Sequence, residues 1–322
     1  MTSTNFKYVY GPVASRRLGR SLGVDLVPFK TCTYDCVYCQ LGRTTHQTTQ
    51  RSEYVPVDAV LAGLKEKLVL GPKPDYISLA GSGEPTLHAR IGDVIAGIKL
   101  LTRVPVAVLT NGSLLWMPDV REALMEADLV MPSLDAGDEP MFQRVNRPHP
   151  EILFEVMVDG LAAFTARFRK LVWLEVLLVE GFTGNEKEVE KIAALARRIR
   201  PGRVQLNTVS RPPAEASVKP VSAQQLSALC RLFPKAVEVI SDAIPQNPLP
   251  AGLSAVTDQE ILALLARRPC TPQGVAAGLN LHLQEATKRL HALAKAGKIA
   301  VLRKNDDLFY QVPMAPADQD SG

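Results

Sequence analysis

The stretch "TCTYDCVYCQLGR", residues 31–43, carries three of the five cysteines of the 322-residue chain, at positions 32, 36 and 39. It follows an apolar run, "SLGVDLVP", that predicts the first strand of a buried sheet. The N-terminal residues lack the apolar segment of a secretory signal, so we expect a cytoplasmic protein, in a compartment where disulfide frameworks are rare. Three clustered thiols in that reducing compartment are expected to bind a metal.

The spacing Cys-x3-Cys-x2-Cys provides one thiolate fewer than the four ligands of a structural zinc site. Cys230 falls on the apolar face of a predicted helix and Cys270 precedes another helix, so neither is expected to join the trio. Three thiolates on a four-iron cluster would leave one iron open to a small molecule. A zinc site completed by a distant ligand such as His46 is the alternative, and a disulfide with a spare thiol is another.

Short apolar runs alternate with amphipathic stretches between about residue 22 and residue 241. The runs are bounded by Gly, Pro or Asn, which is typical of buried parallel strands. The stretches between them repeat apolar residues at the helical period, and Asn185 is in the N-cap position of one. Repeated β-α units predict an α/β fold with a parallel sheet, open or closed into a barrel. The predicted strands are "SLGVDLVP", "PDYISLAG", "VPVAVLTN", "ADLVMPSL", "LVWLEVLLV", "GRVQLNTV" and "AVEVIS".

The pattern changes near residue 241, where the proline-containing segment "SDAIPQNPLPAGLSAVT" has little periodicity. We predict a core at residues 1–245, a linker at 246–256, a small domain at 257–314 and a disordered tail at 315–322. The small domain is predicted to contain three helices followed by a hairpin that turns at "NDD". The apolar runs of the chain are too short to span a membrane.

A net charge of +4 does not by itself indicate a nucleic-acid-binding protein, but residues 1–51 contain seven Lys or Arg and two Asp. This excess is either a solvated basic face or a basic apron for an anionic substrate around the cysteine stretch. The basic residues are Lys7, Arg16, Arg17, Arg20, Lys30, Arg43 and Arg51.

The stretch "CTYDCVYC" resembles the CxxxCxΦC signature of the radical S-adenosylmethionine (radical SAM) superfamily, with Tyr38 in the aromatic position. From about residue 8 to residue 245 the chain resembles an uncharacterised branch of Fe-S oxidoreductases related to wyosine-tRNA synthases. The resemblance implies an incomplete (βα)6 barrel and one [4Fe-4S] cluster held by Cys32, Cys36 and Cys39. It also implies S-adenosylmethionine on the open iron and an electron donor such as flavodoxin or ferredoxin. Reductive cleavage of S-adenosylmethionine would then yield a 5′-deoxyadenosyl radical that abstracts hydrogen from a substrate.

A second motif, "LAGSGEPTLH" at residues 79–88, resembles the GGEP motif of the same superfamily, with Ser82 in place of the second glycine. Glycine allows a ligand to approach the backbone closely. The resemblance implies that the backbone from Gly81 to Gly83 meets the methionine ammonium group, and that Glu84 supports the loop.

Polar residues at the C-terminal ends of parallel strands face the site in such folds. Asn111 ends the third predicted strand, although its Asn-Gly pair also favours a simple β-turn. By resemblance Ser133 contacts the ribose or carboxylate of S-adenosylmethionine, and Asp135 is assigned to the cofactor or the substrate. Tyr38 is expected to pack near the adenine.

Further polar residues lie inside or just after apolar strands. Glu175, Gln205 and Asn207 either line a barrel lumen that holds a polar ligand or make buried structural hydrogen bonds. Lys30 is interpreted as a charge-balancing group, with a Schiff-base role as the alternative. The segment "FQRVNRPHP" is predicted to be a substrate loop that presents Arg144, Asn146, Arg147 and His149.

The C-terminal domain resembles a winged helix-turn-helix, a fold that binds DNA through its third helix but also docks proteins. Residues 257–312 contain eight basic and five acidic residues. The third helix and the wing would present Gln284, Lys288, Arg289, Lys295, Arg303 and Lys304.

The favoured hypothesis is a radical SAM enzyme that acts on RNA or another anionic substrate. One alternative is wyosine-type tRNA modification, although those relatives carry a second cysteine trio and this chain has none. The other is an iron-sulfur regulator that binds DNA through its winged helix.

Overall fold

The computed structural model describes residues 7–233, 237–240, 256–279, 281–304 and 307–313. The chain divides into two compact units, Met1–Pro245 and Gln246–Gly322. The predicted linker, apart from its last residue, and the predicted tail lie outside the described residues.

The described residues of the first unit form ten strands: β1 (Val9–Ser15), β2 (Gly19–Val24), β3 (Thr31–Cys32), β4 (His46–Gln47), β5 (Tyr76–Leu79), β6 (Val106–Thr110), β7 (Leu129–Pro132), β8 (Leu171–Leu178), β9 (Arg203–Thr208) and β10 (Val237–Val239). Seven helices accompany them: α1 (Val57–Leu70), α2 (Ile91–Leu101), α3 (Pro118–Ala123), α4 (Glu139–Val145), α5 (Phe154–Arg167), α6 (Glu186–Ile199) and α7 (Ala223–Leu229). Short 3-10 turns lie at Pro85–Leu87 and Cys230–Leu232.

Eight of these strands form one sheet in the order β1-β2-β5-β6-β7-β8-β9-β10, and β3 pairs separately with β4. From β2 to β10 every neighbouring pair is parallel, whereas β1 is antiparallel to β2. The predicted parallel sheet is therefore confirmed, with a strand near each of the seven apolar runs. Strand β1 was not predicted, because Gly11 and Pro12 interrupt its apolar pattern where the register also shifts.

The helices bury their apolar faces in one large core. In α6, Val189, Ile192 and Ala196 are fully buried, which matches the period of its sequence. Asn185 caps this helix as predicted, since its side-chain oxygen accepts a hydrogen bond from the Glu188 amide at 3.1 Å.

One face of the sheet packs against this large core. We call the other face, which carries Met131, Glu175 and Asn207, the inner face. Leu18, in the turn between β1 and β2, packs in a small separate cluster with Met131. Its neighbour Arg17 forms an ion pair with Glu175 of β8, although β5, β6 and β7 lie between β2 and β8 in the sheet. A side chain can bridge strands so far apart in the order only if the sheet curves around its inner face.

The second unit contains α8 (Asp258–Arg267), α9 (Pro272–Leu279), α10 (Leu283–Lys295) and an antiparallel pair, β11 (Ala300–Lys304) and β12 (Asp307–Gln311). Thr257 and Glu260 form a capping box at the start of α8, the usual way of satisfying two free amides there. The described core of this unit includes Ile261, Leu264, Val275, Leu290 and Tyr310. Two residues of the predicted "NDD" turn lie outside the described residues.

Arg289 does not present its side chain as the sequence suggested. Its guanidinium group donates to Asp258 Oδ1 at 2.6 and 2.9 Å and so ties α10 to the start of α8. By contrast, Gln284, Lys288 and Lys295 are exposed along one side of α10. None of the described helices in either unit is both long enough and apolar enough to cross a bilayer.

Candidate functional site

The cysteine loop, residues 32–42, begins at the end of β3 and is held by backbone hydrogen bonds on two sides. The Asp35 and Val37 amides donate to the carbonyl groups of residues 146 and 145 at 3.1 and 3.0 Å, and the Thr48 amide donates to Cys32 O at 3.0 Å. The loop is therefore braced by the end of α4 and by the residues after β4. Its three cysteines are half-buried, and all five cysteines of the chain are free.

Each sulfur of the trio has one nitrogen donor beside it. Lys30 Nζ lies 3.3 Å from Cys39 Sγ, Asn111 Nδ2 lies 3.6 Å from Cys32 Sγ, and Asn146 Nδ2 lies 3.5 Å from Cys36 Sγ. Donors to sulfur stabilise the thiolate form and tune iron-sulfur clusters. The donors come from three separate parts of the sequence, so the environment of the trio is built by the fold.

Burial raises the pKa of the Cys32 thiol to about 12 and that of Cys36 well above its ordinary value. Buried thiols of this kind stay neutral until a metal displaces the proton, since a coordinating thiol is deprotonated outright. His46 is exposed on β4. Three thiols, each with a nitrogen donor beside it, fit a group that takes three thiolate ligands.

The glycine loop, residues 81–85, follows β5 and packs directly on Lys30 and Thr31, the two residues before the cysteine loop. The Lys30 amide donates to Ser82 O at 2.6 Å, and the Glu84 amide donates to Thr31 O at 3.1 Å. A Cβ atom on Gly83 would lie 1.8 Å from Thr31 O, and one on Gly81 (φ +134°) would lie 1.9 Å from Asp25 Oδ1. Only glycine therefore fits at these two positions.

Asp25 was not predicted as a site residue. It is a buried carboxylate whose Oδ1 accepts a hydrogen bond from the Ser82 amide at 2.8 Å. Its position inside the apolar run "GVDLV" is the same kind of signal that singled out Glu175, and it could have been found in that way.

Glu84 is 2% exposed and joins the glycine loop to β6. Its oxygens accept hydrogen bonds from the Thr86 amide and hydroxyl, from the Thr110 hydroxyl and from the Asn111 amide, at 2.6 to 3.0 Å. Burial raises the pKa of this carboxyl, and these four donors counteract the rise. The carboxyl group is fully used within the protein.

Asn111 begins the turn after β6, where Gly112 has φ +78°. Its side-chain nitrogen donates to Thr33 Oγ1 at 2.7 Å, and Thr33 shares a 2.8 Å hydrogen bond with Ser113. Asn111 Oδ1 also accepts a hydrogen bond from the Ser113 amide at 3.0 Å, so one side chain orders this turn and contacts the cysteine loop. Thr33 and Ser113 are fully buried and were missed, because small hydroxyl residues give no distinctive sequence signal.

Asp135 is 3% exposed and lies under the cysteine loop. It accepts hydrogen bonds from the Tyr38 hydroxyl, from Asn146 Nδ2 at 2.9 Å and from the Leu177 amide at 2.9 Å. Burial raises its pKa to about 6, against the opposing effect of these donors. The hydroxyl group of Tyr38 is thus committed to Asp135, and contact of its ring with adenine stays a prediction.

The prediction of a substrate loop at residues 142–150 is wrong for the first part of this segment. Helix α4 extends through Val145, and Asn146 is 2% exposed with its side chain on Cys36 and Asp135. The Arg144 guanidinium lies 5.2 Å from the centre of the Phe182 ring. Polar residues in sequence do not reveal that the fold will use them to brace another loop.

The basic apron is also not borne out. Arg17 pairs with Glu175, and Lys30 is buried beside Cys39. The other partners are Asp75 for Arg20, Asp35 and Glu215 for Arg43, and Asp119 for Arg51. Most of these partners come from distant parts of the sequence, so counting charge within residues 1–51 overestimated the local positive field.

The polar residues of the inner face mostly have partners. Asn207 Nδ2 donates to Glu175 Oε1 at 3.1 Å, and Gln205 Nε2 donates to Glu238 Oε2 at 3.1 Å. Gln205 Oε1 is buried without a hydrogen-bond partner. Ser133 is half-buried and forms a β-bridge with Glu175. Structural hydrogen bonds therefore account for Glu175 and Asn207.

Replacing Arg17 with Met is expected to destabilise the first unit by about 3 kcal/mol, because breaking a buried ion pair leaves one charge without its partner. Although burial raises the pKa of Glu175, the Arg17 guanidinium lowers it below its ordinary value. Both side chains are only 17% exposed. Urea unfolding followed by circular dichroism measures the change.

Two controls accompany this variant. The double variant R17M/E175L should recover much of the loss, because an apolar pair can replace a buried ion pair. Arg90→Met, which removes an exposed pair with Glu53, should cost no more than about 1 kcal/mol. Equal losses for Arg17→Met and Arg90→Met would contradict the interpretation.

The sequence profile described as the Radical SAM superfamily matches residues 26–196. Among curated proteins, the GTPase Obg of Brachyspira hyodysenteriae is 37% identical over 307 residues, which is 95% of this chain and 45% of that protein. The chain thus spans less than half the length of that relative. A UPF0026 protein of Helicobacter pylori is 32% identical over 96% of this chain and 99% of its own length.

Among solved structures, TYW1 with a lysine-pyruvate adduct bound matches with a TM-score of 0.50 and 16% identity. The match covers 69% of this chain and 74% of TYW1, and at this identity it shows a shared fold alone. The profile match covers the cysteine loop, the glycine loop and strands β5 to β8. Together with the geometry of the three thiols, these comparisons establish that the chain belongs to the radical SAM superfamily.

Proposed function

We propose that the protein is a radical SAM enzyme in which Cys32, Cys36 and Cys39 hold one [4Fe-4S] cluster. The bound cluster would supply one electron to cleave S-adenosylmethionine into methionine and a 5′-deoxyadenosyl radical, which takes hydrogen from a substrate. The chain's own residues bind and orient the cofactor and shield it from water.

One observation carries this proposal: three thiols, each with its own nitrogen donor, lie on a loop whose preceding residue, Thr31, packs on a glycine loop at the C-terminal end of a parallel sheet. Three thiolates leave one position open on a four-iron cluster. The absence of Cβ atoms on Gly81 and Gly83 lets the loop lie directly against Asp25 and Thr31, next to the cysteine loop. Backbone groups there can meet a zwitterionic ligand.

We assign S-adenosylmethionine to the space bordered by the glycine loop, Asn111, Ser133, Asp135 and Tyr38. In this assignment the backbone of Gly81, Ser82 and Gly83 meets the methionine ammonium group, and Glu84 fixes the loop. The pairing of Arg17 with Glu175 across the sheet supports an incomplete (βα)6 barrel around this space.

Anaerobic reconstitution with iron and sulfide tests the proposal. The protein should bind four irons, show the visible charge-transfer absorption of an iron-sulfur cluster, and release 5′-deoxyadenosine from S-adenosylmethionine after reduction. Iron binding without 5′-deoxyadenosine would exclude radical chemistry under these conditions, and a failure to bind iron would overturn the cluster assignment.

For the substrate, we propose an RNA that is bound in part by the second unit as a winged helix. Helix α10 is followed by the antiparallel pair β11-β12, and its exposed side presents Gln284, Lys288 and Lys295. Arg303 on β11 is exposed as well. These side chains are suited to phosphate contacts, which dominate affinity for nucleic acids.

The variant K288Q/K295Q should bind tRNA more weakly than wild type. The slope of log Kd against log salt should be smaller by about one for each phosphate that the variant no longer neutralises. Fluorescence anisotropy at several salt concentrations measures this change. The control K65Q/K187Q removes the same charge from two exposed lysines of the first unit and should leave the slope unchanged.

Two outcomes would favour the alternatives. Binding of duplex DNA that changes with cluster state, without 5′-deoxyadenosine, would support an iron-sulfur regulator. A wyosine-type tRNA reaction is the other alternative, but the sequence has no second cysteine trio for an auxiliary cluster. Nucleosides of tRNA from a deletion strain, compared with wild type, would reveal any modification that depends on this protein.

A further inference from the structure

Lys30 is a buried lysine at the point where the cysteine loop and the glycine loop meet. Its side chain is 2% exposed, and its backbone lies in the left-handed region with φ 59°. Its amide donates to Ser82 O at 2.6 Å, and its carbonyl accepts from the His46 amide at 3.1 Å. The backbone therefore fixes the direction of the side chain, whose nitrogen lies 3.3 Å from Cys39 Sγ.

The ammonium group has no carboxylate partner: within the residues that the structure describes, Lys30 takes part in no ion pair with Asp or Glu. A buried charge is costly unless it is paired. The group within hydrogen-bond distance is the sulfur of Cys39. The negative charge that would compensate the Lys30 ammonium group is thus expected on the cysteine sulfurs.

A [4Fe-4S] cluster held by three thiolates carries net negative charge, and one-electron reduction adds one more. A fixed cation beside a ligand sulfur stabilises the reduced form more than the oxidised form, because Coulomb attraction increases with the charge. Asn111 and Asn146 donate to the other two sulfurs without carrying charge. Lys30 is the charged member of the three donors, so it alone can stabilise the reduced cluster by Coulomb attraction.

On the basis of the function proposed above, we propose that Lys30 is a positioning residue whose buried charge raises the reduction potential of the cluster and so makes it accessible to the electron donor. This role requires no bond to the substrate or to S-adenosylmethionine. This role and a Schiff-base role exclude each other. A Schiff base forms when an uncharged lysine amine attacks a carbonyl group, whereas the proposed role requires the charged ammonium form.

The midpoint potential of the reconstituted cluster tests this role, measured by a titration with titanium(III) citrate and followed by electron paramagnetic resonance. Lys30→Met removes the charge at similar volume, Lys30→Gln keeps a donor without charge, and Lys30→Arg keeps the charge. We expect Met and Gln to lower the equilibrium constant for reduction tenfold or more, which is about 59 mV for a one-electron couple. Lys30→Arg should stay close to wild type. Lys67→Met, which removes another mostly buried lysine in α1, should also leave the potential unchanged.

Each outcome decides the proposal. Unchanged potentials for Lys30→Met and Lys30→Gln would overturn it, as would loss of the cluster from all three Lys30 variants, which would make Lys30 a packing residue. Retention of the cluster by Lys30→Arg alone would overturn it too, since the cation would then hold the anionic cluster in place instead of setting its potential. If the wild-type chain forms no cluster, the proposed function fails first, and the two failures are distinguished in this way.

Discussion

Cys36→Ala is expected to abolish the iron-sulfur absorption and the release of 5′-deoxyadenosine, while the chain stays folded. Two thiolates are too few to hold a cluster that already lacks one protein ligand. Cys36 is half-buried and its sulfur lies 3.5 Å from Asn146 Nδ2, so the loss of this small group removes little packing. Iron content, visible absorption and cofactor cleavage measure the effect, and far-ultraviolet circular dichroism follows the fold.

The matched control is Cys230→Ala. Cys230 is also half-buried and free, but it lies after α7 and packs against the apolar core. This variant should keep its iron and its activity. If it lost iron as completely as Cys36→Ala, a distant thiol would have to be a ligand, and the assignment of the trio would be wrong.

The sheet could be predicted from sequence because a parallel strand buried on both faces appears as a short apolar run. The same reasoning failed for β1, where Gly11 and Pro12 break the run. Charges were harder to interpret, because the partner of an arginine is set by the fold. Arg43 pairs with Glu215, 172 residues away, and no local count of charge could have shown this.

The residues of the site that lie in short sequence motifs were predicted. The contacts that the fold makes from distant positions were missed. The three cysteines and the glycines lie within two short motifs, so the sequence alone brings them to notice. Asn146 reaches Cys36 across 110 residues, and Asn111 reaches Cys32 across 79. The sequence therefore indicates the ligands of a cluster, whereas the groups that adjust its properties become visible only in three dimensions.

Gly83→Ala is expected to disrupt the site although alanine adds a single methyl group. The added Cβ would lie 1.8 Å from Thr31 O and 2.9 Å from a methyl carbon of Val27. Because the first contact is with backbone, the glycine loop and the residue before Cys32 must move apart, at a cost of about 1–3 kcal/mol. The Glu84 amide would also lose its hydrogen bond to Thr31 O. A displacement of about 1 Å at reacting groups can cost about 100-fold in rate, so we expect 5′-deoxyadenosine release to fall at least that far.

Gly63→Ala is the control that separates loop geometry from a general intolerance of alanine. Gly63 lies within α1, and its added Cβ would meet a Val9 methyl carbon at 3.6 Å, an ordinary contact. Alanine in the interior of a helix is more favourable than glycine by about 1 kcal/mol. Thermal unfolding of Gly63→Ala should therefore occur at an equal or higher temperature, with full cofactor binding. Cofactor affinity, measured by equilibrium dialysis of the reconstituted proteins, should fall in Gly83→Ala alone. Wild-type affinity in Gly83→Ala would show that the glycine loop tolerates the displacement and that the cofactor is held elsewhere.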